Sequence, residues 1–367
     1  MRQPFFLGTY SVPSPWAGAD AGHGAGVVLA SVDLDSGELA VGEARSERNP
    51  AFVVADAARS RLYAATEVEG EGELVSWEVD ADGSLGLRSA SGTSSNSSCH
   101  VTIDPRRSAA YVAHFQGGRL SVIALAEDGA PAGLASIISL PTQSTSSDGS
   151  PVDRTGMRSR PHCSVLVGPE LLMVTDCGRS IVSLYRIAGS GRETTLTLTA
   201  SLALAEGTGA RHIAMRTNSE FAYVSNEDAA SISVLRLGTS GQQRIELVET
   251  VPSPGLGRHT SLPSEIAIHP RLDVVYMANR RDESISVFSV DPATGRLTHR
   301  QAVDTRGQWP RHFAITPDGG MLVVGNQNTD SLVSFRVLAD GNLEWTGHEV
   351  SVASPASIAY WSDTTDN

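Results

Sequence analysis

The chain has 367 residues, of which 35 are glycine and 18 are proline, while only 19% are charged. This composition is typical of many short strands joined by tight turns and is too apolar for a disordered chain. The formal net charge of −13 argues against a nucleic-acid-binding or anionic-membrane-binding surface. Three cysteines are too few for a disulfide framework, and no apolar run resembles a signal peptide or a membrane span. We therefore expect a cytoplasmic protein.

A repeated group of strands is the main feature of the sequence. Each copy has a short apolar strand, a turn, a second apolar strand, an alternating strand and a glycine-containing turn. The complete copies begin, in chain order, at Pro50, Cys99, Pro161, Ala210, Pro263 and Pro310. A seventh copy begins at Ser354 without a second strand, and its missing strands lie near Phe5 and Gly26. The pattern predicts an all-β, seven-bladed β-propeller with four-stranded blades, closed by pairing of the N- and C-terminal strands.

We expect one propeller domain over residues 1–367, because the repeat runs from end to end. The interval between Cys99 and Pro161 is the longest, and its excess is a polar, serine- and glycine-rich stretch over 142–160. This stretch is predicted to be an inserted polar loop, either mobile or serving as a lid.

Polar residues form two columns when the copies are aligned. Near the start of the first strands stand Phe52, His100, His162, His212, Glu265, His312 and Ser357. At the ends of the second strands stand Thr66-Glu67, His114-Phe115, Asp176-Cys177, Asn226-Glu227, Asn279-Arg280 and Asn326-Gln327, with Thr9-Tyr10 from the N-terminal segment. The start of one antiparallel strand lies beside the end of its neighbour, so both columns should meet at one mouth of the central channel.

Two other interpretations of these columns were weighed against a binding site. Repeated polar residues also tie propeller strands together, but a tie should repeat its residue, whereas Asp176, Glu227, Arg280 and Gln327 differ. Histidines could ligate a metal ion, but nearby arginines such as Arg211 suit a carboxylate or phosphate instead. We expect a small anionic ligand, with no metal and no cofactor.

Several segments resemble one known family. They are GTY at Gly8, RPHCSV at Arg160, ARHIAM at Ala210, YMANRRDESISVF at Tyr276 and PRHFAITPDGG at Pro310. The sequence is similar over nearly its whole length to the lactonase family of seven-bladed propellers. That family includes the propeller-type 6-phosphogluconolactonases and the carboxy-cis,cis-muconate cyclases.

The resemblance implies four catalytic residues, namely His162, Arg211, Glu227 and Arg280, all within or beside the two columns. The predicted substrate-binding residues are Glu67, His100, His212, Asn279, Arg311, His312 and Gln327. The implied activity is hydrolysis of a small anionic sugar lactone, of the 6-phosphogluconolactone type, by a monomer without metal. Either His162 or Glu227 would be the general base, and the arginines would bind the anion and stabilise the oxyanion.

Two alternatives remain open at this point. A lactonizing cyclase would use the same groups, but an internal carboxylate would attack instead of water. A non-catalytic propeller that binds a small molecule or a protein is the other alternative, since a fold does not decide function. A protein-binding platform should show aromatic side chains at one rim, yet aromatic residues make up only 5% of the chain.

Overall fold

The computed structural model describes residues 1–15, 22–216, 219–238 and 243–361. Residues 362–367, the last of the predicted domain, therefore lie outside the described ranges. Within those ranges the strands form seven sheets, one for each predicted blade. The predicted seven-bladed propeller is confirmed.

The strands follow one another in blade order. The closing blade begins with β1 (Arg2–Thr9), β2 (Val27–Asp33) and β3 (Leu39–Arg45). Blade 1 has β4 (Pro50–Asp56), β5 (Arg61–Thr66), β6 (Glu73–Val79) and β7 (Leu85–Gly92). Blade 2 has β8 (Ser98–Asp104), β9 (Ala109–His114), β10 (Arg119–Leu125) and β11 (Pro131–Ser139). Blade 3 has the short β12 (Gln143–Thr145) and β13 (Pro151–Asp153), then β14 (Pro161–Leu166), β15 (Leu171–Asp176), β16 (Ile181–Ala188) and β17 (Thr195–Ala203).

The second half of the ring repeats the four-stranded pattern. Blade 4 has β18 (Ala210–Met215), β19 (Phe221–Asn226), β20 (Ser231–Gly238) and β21 (Arg244–Pro252). Blade 5 has β22 (Leu262–Ile268), β23 (Val274–Arg280), β24 (Ser284–Val290) and β25 (Leu297–Asp304). Blade 6 has β26 (Pro310–Ile315), β27 (Met321–Asn326), β28 (Ser331–Val337) and β29 (Leu343–Ser351), and β30 (Pro355–Tyr360) follows. Two single 3₁₀ turns are present among the described residues, at Ala57–Arg59 and Gly191–Glu193.

The ring is closed by hydrogen bonds between the two ends of the chain. In the closing blade the sheet order is β3-β2-β1-β30, so the C-terminal strand is the innermost. Phe5 pairs with Tyr360 and Leu7 pairs with Ile358 across this seam. The three cysteines are free and buried, so closure rests on backbone pairing and packing.

Apolar side chains hold neighbouring blades together. Successive residues of a strand point to opposite faces of its sheet, and β5 shows the consequence. Leu62 packs in a cluster with Phe6 and Trp77 on the side of the closing blade. Tyr63 packs in a different cluster with Val112 on the side of blade 2. Each blade thus buries both faces, which keeps the strand ends at the mouth in fixed positions.

The insertion at 142–160 is not a loop throughout. It contains the hairpin of β12 and β13, and β12 adjoins the outer strand of blade 3 in parallel through Thr145 and Leu202. Blade 3 is therefore a six-stranded sheet. The predicted polar loop thus contains a short hairpin, which the sequence pattern did not reveal because each of its strands is only three residues long.

Candidate active site

A β-bulge at the start of every innermost strand positions the site. In blade 1, Pro50 pairs with Thr66 while Phe52 pairs with Ala65, which leaves Ala51 as an extra residue. The same irregularity occurs in the other six blades. A bulge re-aims side chains, so each blade can direct two consecutive residues toward the channel.

The bulges change the predicted alignment of one histidine. In blade 3, Pro161 and Cys163 occupy successive pairing positions, so His162 is the bulge residue. It is equivalent to Arg211 and Arg311 and not to the other histidines of its predicted column. The predicted column did not distinguish these two consecutive positions, because a bulge leaves no signal in the repeated strand pattern.

The residues after the bulges form a deep layer within the channel. The ring of Phe52 lies 4.1 Å from that of His100, 5.6 Å from that of His312 and 5.9 Å from that of His212. Glu265 Oε2 lies 2.9 Å from both His212 Nδ1 and His312 Nε2. These five side chains come from five blades, as the sequence predicted.

Glu265 determines the tautomers of both histidines. An ionised carboxylate only accepts hydrogen bonds, so His212 donates from Nδ1 and His312 donates from Nε2. Burial opposes ionisation of Glu265, but His212 and His312 outweigh it and hold its pKa well below the usual range. Burial, together with Arg211, lowers the pKa of His212 to about 4. The deep layer therefore contains an ionised carboxylate and an uncharged imidazole at neutral pH.

A carboxylate clamped by two arginines forms the layer above, at the mouth. Arg211 Nε lies 3.1 Å from Glu227 Oε2, and Arg280 Nη2 lies 3.0 Å from Glu227 Oε1. Both arginines are buried, whereas the Glu227 side chain is 19% exposed. The guanidinium of Arg280 also lies 5.2 Å from the centre of the Trp309 ring. We call Arg211, Glu227 and Arg280 the clamp.

The clamp keeps Glu227 and Arg280 charged, and it leaves one hydrogen-bond donor of Arg211 without an acceptor among the described residues. Burial would raise the pKa of Glu227, but Arg280 and Arg211 outweigh it and hold the pKa below the usual range. Burial lowers the pKa of Arg280 to about 10, so this guanidinium is still protonated at neutral pH. Among the described residues, Nη1 of Arg211 has no hydrogen-bond partner, which leaves it available to an anion.

His162 lies beside the clamp as an uncharged base. Its ring centre is 5.0 Å from that of His212 and 5.4 Å from that of Phe115. Burial and the positive charge of Arg211 hold the pKa of His162 well below 6.5. Its Nδ1 atom has no hydrogen-bond partner within the described ranges. A neutral imidazole with a free nitrogen can accept a proton at any pH above that lowered pKa.

A second arginine–glutamate cluster lies at the ring closure, and we call it the seam cluster. Tyr10 Oη donates to Glu67, and Arg311 contacts both of these side chains. Ser97 Oγ donates to the other oxygen of Glu67 over 3.1 Å. The Glu67 side chain is only 2% exposed and its contacts hold Arg311, while its predicted role in substrate binding stays a prediction.

The hydrogen bonds of Asn279 go to other side chains of the protein, although this residue was predicted to bind substrate. Its Oδ1 accepts hydrogen bonds from Ser253 and Ser261, and its Nδ2 donates to Ser286. Alternation explains this, because Arg280 points toward the mouth and its neighbour must point away. These bonds make Asn279 a tie between strands, and its role as a substrate ligand stays a prediction. Gln327 is at the predicted strand end and is fully buried.

Four residues at or near the mouth were absent from the predicted site: Tyr10, Phe115, Arg160 and Trp309. Tyr10 and Phe115 occupy the same strand-end position as Glu227, and the sequence column contained them. Aromatic side chains carry no formal charge, so the sequence pattern offered no sign that they contribute to an anion-binding site. Trp309 and Arg160 precede an innermost strand, where alignment gives no signal.

Two further observations concern the described residues as a whole. Within them, no three or more histidine, cysteine, aspartate or glutamate side chains are arranged to hold a metal ion. No helix in these ranges is long and apolar enough to cross a lipid bilayer.

Comparison with known proteins assigns the family. The family model "Lactonase, 7-bladed beta-propeller" matches residues 5–360. The 6-phosphogluconolactonase of Bacillus subtilis is 29% identical over 342 residues, which cover 90% of this chain and 93% of the relative. A periplasmic gluconolactonase of Pseudomonas aeruginosa has the same fold, with a TM-score of 0.84, 22% identity, and coverage of 99% of this chain and all of its own. This chain belongs to the lactonase family of seven-bladed β-propellers.

Proposed function

We propose that the chain hydrolyses the ring ester of a small anionic sugar lactone at this mouth. One observation carries the proposal: His162 and Arg211 occupy the same bulge position in neighbouring blades, and neither His162 Nδ1 nor Arg211 Nη1 has a hydrogen-bond partner among the described residues. Ester hydrolysis needs a base to activate water and a cation to stabilise the oxyanion, and these two groups supply both.

The reaction can be written with these groups. His162 Nδ1 accepts a proton from water as the water oxygen bonds to the lactone carbonyl carbon. The carbonyl oxygen becomes an oxyanion, which Arg211 Nη1 stabilises. The bond between the carbonyl carbon and the ring oxygen then breaks, and His162 returns its proton to the leaving alkoxide. The product is the open hydroxy acid, and the protein ends in its starting protonation state.

The clamp favours His162 over Glu227 as the base. A carboxylate shared by two guanidinium groups is a weak proton acceptor, since protonation would break two ion pairs. Glu227 instead holds Arg211 and Arg280 in place for the reaction. An anionic substrate near these arginines would also offset their charge and raise the basicity of His162.

The relatives support the choice of substrate class. The relative from Bacillus subtilis is named a 6-phosphogluconolactonase, and the mouth of this chain carries three arginines with side chains no more than 10% exposed, Arg211, Arg280 and Arg311. We propose 6-phosphogluconolactone as the first substrate to test and a mechanism that needs no metal. We further propose a cytoplasmic location, because three free, buried thiols suit a reducing compartment. We propose a monomer because the ring of blades closes on itself through the two ends of the chain.

The test is hydrolysis of freshly made 6-phosphogluconolactone at neutral pH with a chelator, measured as acid release above the spontaneous rate. We expect fast, chelator-resistant release that is lost in His162→Gln. Arg281→Gln is the matched control, since Arg281 is an exposed neighbour of the clamp and its loss should leave the rate nearly unchanged. Release no faster than in buffer would exclude this substrate, and loss of activity with chelator would exclude the metal-free mechanism.

A further inference from the structure

The insertion at 142–160 ends as a fixed wall of the mouth. Arg154 pairs with Glu206, which attaches the segment to the loop after β17. Arg158 Nη2 donates to the backbone carbonyl oxygen of Gln116 over 2.9 Å, which attaches it to blade 2. These contacts span two blades, so the segment is anchored on both sides before it reaches β14.

Close backbone packing holds the last part of this segment. Ser159 Oγ donates to Asp176 Oδ2 over 2.7 Å, and the backbone N–H of Arg160 donates to Asp176 Oδ1 over 2.8 Å. A Cβ atom at Gly178 would lie 2.1 Å from the carbonyl oxygen of Arg158, so only glycine permits this approach. The backbone of Arg160 is therefore held at a defined position beside the mouth.

The side chain of Arg160 lies close to the reacting groups. Its guanidinium carbon is 5.2 Å from the centre of the Phe115 ring. The ring of Phe115 is in turn 5.4 Å from that of His162. The ring of Phe115 thus lies between Arg160 and the proposed base His162. A single sugar ring could span the distance between these two groups.

Arg160 differs from the other arginines of the mouth in its lack of a carboxylate partner. Arg211 and Arg280 share Glu227, and Arg311 contacts Glu67. In the described part of the chain the guanidinium of Arg160 forms no ion pair and no hydrogen bond, and its Nε atom is buried. Asp228 is close enough to interact with it only through space. A buried Nε–H group without an acceptor costs free energy, and a ligand oxygen that accepts from it would offset that cost.

We propose that Arg160 is a specificity-determining residue that binds the anionic group at the end of the substrate remote from the ring ester. This inference rests on the proposed function and refines it: the clamp serves the reaction, and Arg160 selects a sugar lactone that carries a distal phosphate or carboxylate. A guanidinium binds either group through paired N–H donors. On this proposal, the role of the 142–160 insertion is to place the guanidinium of Arg160 at the mouth.

The test compares two substrates that differ only in the distal anion, 6-phosphogluconolactone and glucono-δ-lactone. In Arg160→Gln we expect KM for the phosphorylated lactone to rise about 10- to 100-fold, since charge-assisted pairs contribute that much. Its kcat, and both constants for glucono-δ-lactone, should change less than about twofold. Arg281→Gln is the control, because it removes the same charge from an exposed arginine next to the clamp; KM and kcat for both lactones should remain as in wild type.

The other outcomes overturn the inference. An equal rise in KM for both lactones would make Arg160 a structural residue of the wall, and no change would remove it from the site. A wild-type protein inactive on both lactones would instead refute the proposed function. Calorimetry with 6-phosphogluconate and gluconate then decides the role of Arg160: tighter binding of the phosphorylated acid, lost in Arg160→Gln, supports it, and equal binding refutes it.

Discussion

The clamp and the seam cluster use the same residue types for different purposes. In the clamp one carboxylate, Glu227, faces two arginines and is partly exposed, so the cluster has an excess of positive charge. In the seam cluster one arginine, Arg311, meets a glutamate whose oxygens also accept from Tyr10 and Ser97. The clamp has hydrogen-bond donors without an acceptor among the described residues, whereas the seam cluster has few.

The comparison shows that satisfaction of hydrogen bonds, and not residue identity, separates a reactive cluster from a structural one. A fully paired buried carboxylate gains nothing from a ligand, because binding would have to break existing bonds. An arginine with a free, buried donor gains a bond when an anion arrives. The sequence columns contained both clusters, and only their partners distinguish them.

The largest expected effect is on catalysis by Glu227→Gln. Glutamine keeps the shape of the side chain but removes the charge that holds Arg211 and Arg280, so both guanidinium groups lose their common anchor. We expect kcat/KM for lactone hydrolysis to fall about 100-fold or more, comparable with the loss of a positioned catalytic group. Initial rates corrected for spontaneous hydrolysis measure this.

The matched variant for that experiment is Glu67→Gln, which makes the same chemical change in the seam cluster. A fall in kcat/KM as large as that of Glu227→Gln would mean that the two clusters do not differ in function. Circular dichroism of both variants verifies that each retains the β-propeller.

The second expected effect is on the stability of the ring closure, and it concerns the seam cluster. Glu67→Gln leaves Arg311 buried without a charged partner, and breaking a buried pair in this way costs about 3 kcal/mol or more. Tyr10→Phe keeps that pair and removes a hydroxyl that donates to Glu67 and accepts from Arg311, two hydrogen bonds to charged groups that contribute about 1.5–3 kcal/mol each. Denaturant unfolding measures both losses. A Glu67→Gln protein as stable as wild type would show that the seam cluster does not hold the ring closed.

The fold could be predicted from the sequence because the same strand pattern is repeated along the chain. Seven copies of one strand pattern, with the last copy split between the chain ends, give a ring closed at Phe5 and Tyr360. The strand-end column also predicted that Glu227 and Arg280 would lie at one mouth. Topology alone brings these residues together, so no side-chain detail was needed.

The remaining features depend on contacts that no local pattern encodes. The bulge that places His162 beside Arg211 appears only in the strand register. Asn279 and Arg280 are adjacent in sequence, yet alternation sends one to serine hydroxyls and the other to the mouth. Arg160 is placed by Asp176, a contact to the next strand of the same blade.

A third, smaller effect concerns Asn279. It distinguishes a residue that stabilises the fold from one that binds substrate. Asn279→Ala removes an amide that bonds Ser253, Ser261 and Ser286, leaving these buried hydroxyls with fewer partners. We expect a loss of about 1–3 kcal/mol in unfolding free energy and a change in KM of less than about twofold. Thermal unfolding and kinetics on the same preparation test this. A rise in KM without a loss of stability would restore Asn279 as a substrate ligand.

The smallest expected effect is that of pH on activity. It distinguishes protonation of His162 from loss of the folded state as the cause of lower activity in acid. Burial and Arg211 lower the pKa of His162 well below 6.5, so its imidazole is already uncharged at pH 6.5. Because the base is active in that form, kcat/KM should change less than about twofold from pH 8 down to 6.5, with its acid limb at lower pH. The pH profile of kcat/KM, after subtraction of spontaneous hydrolysis, measures this directly.

Stability should respond to the same pH change with a sign that can be worked out. Burial also lowers the pKa of His100 well below 6.5 in the folded protein, whereas the unfolded chain binds protons at histidine near pH 6.5. Below that pH the unfolded state therefore holds more protons, and the free energy of unfolding should fall as the pH falls. An acid limb of kcat/KM that coincides with loss of the folded state would show that unfolding, and not protonation of His162, limits activity. A limb at a pH where the protein is still folded, and shifted in Arg211→Gln, would assign that limb to His162.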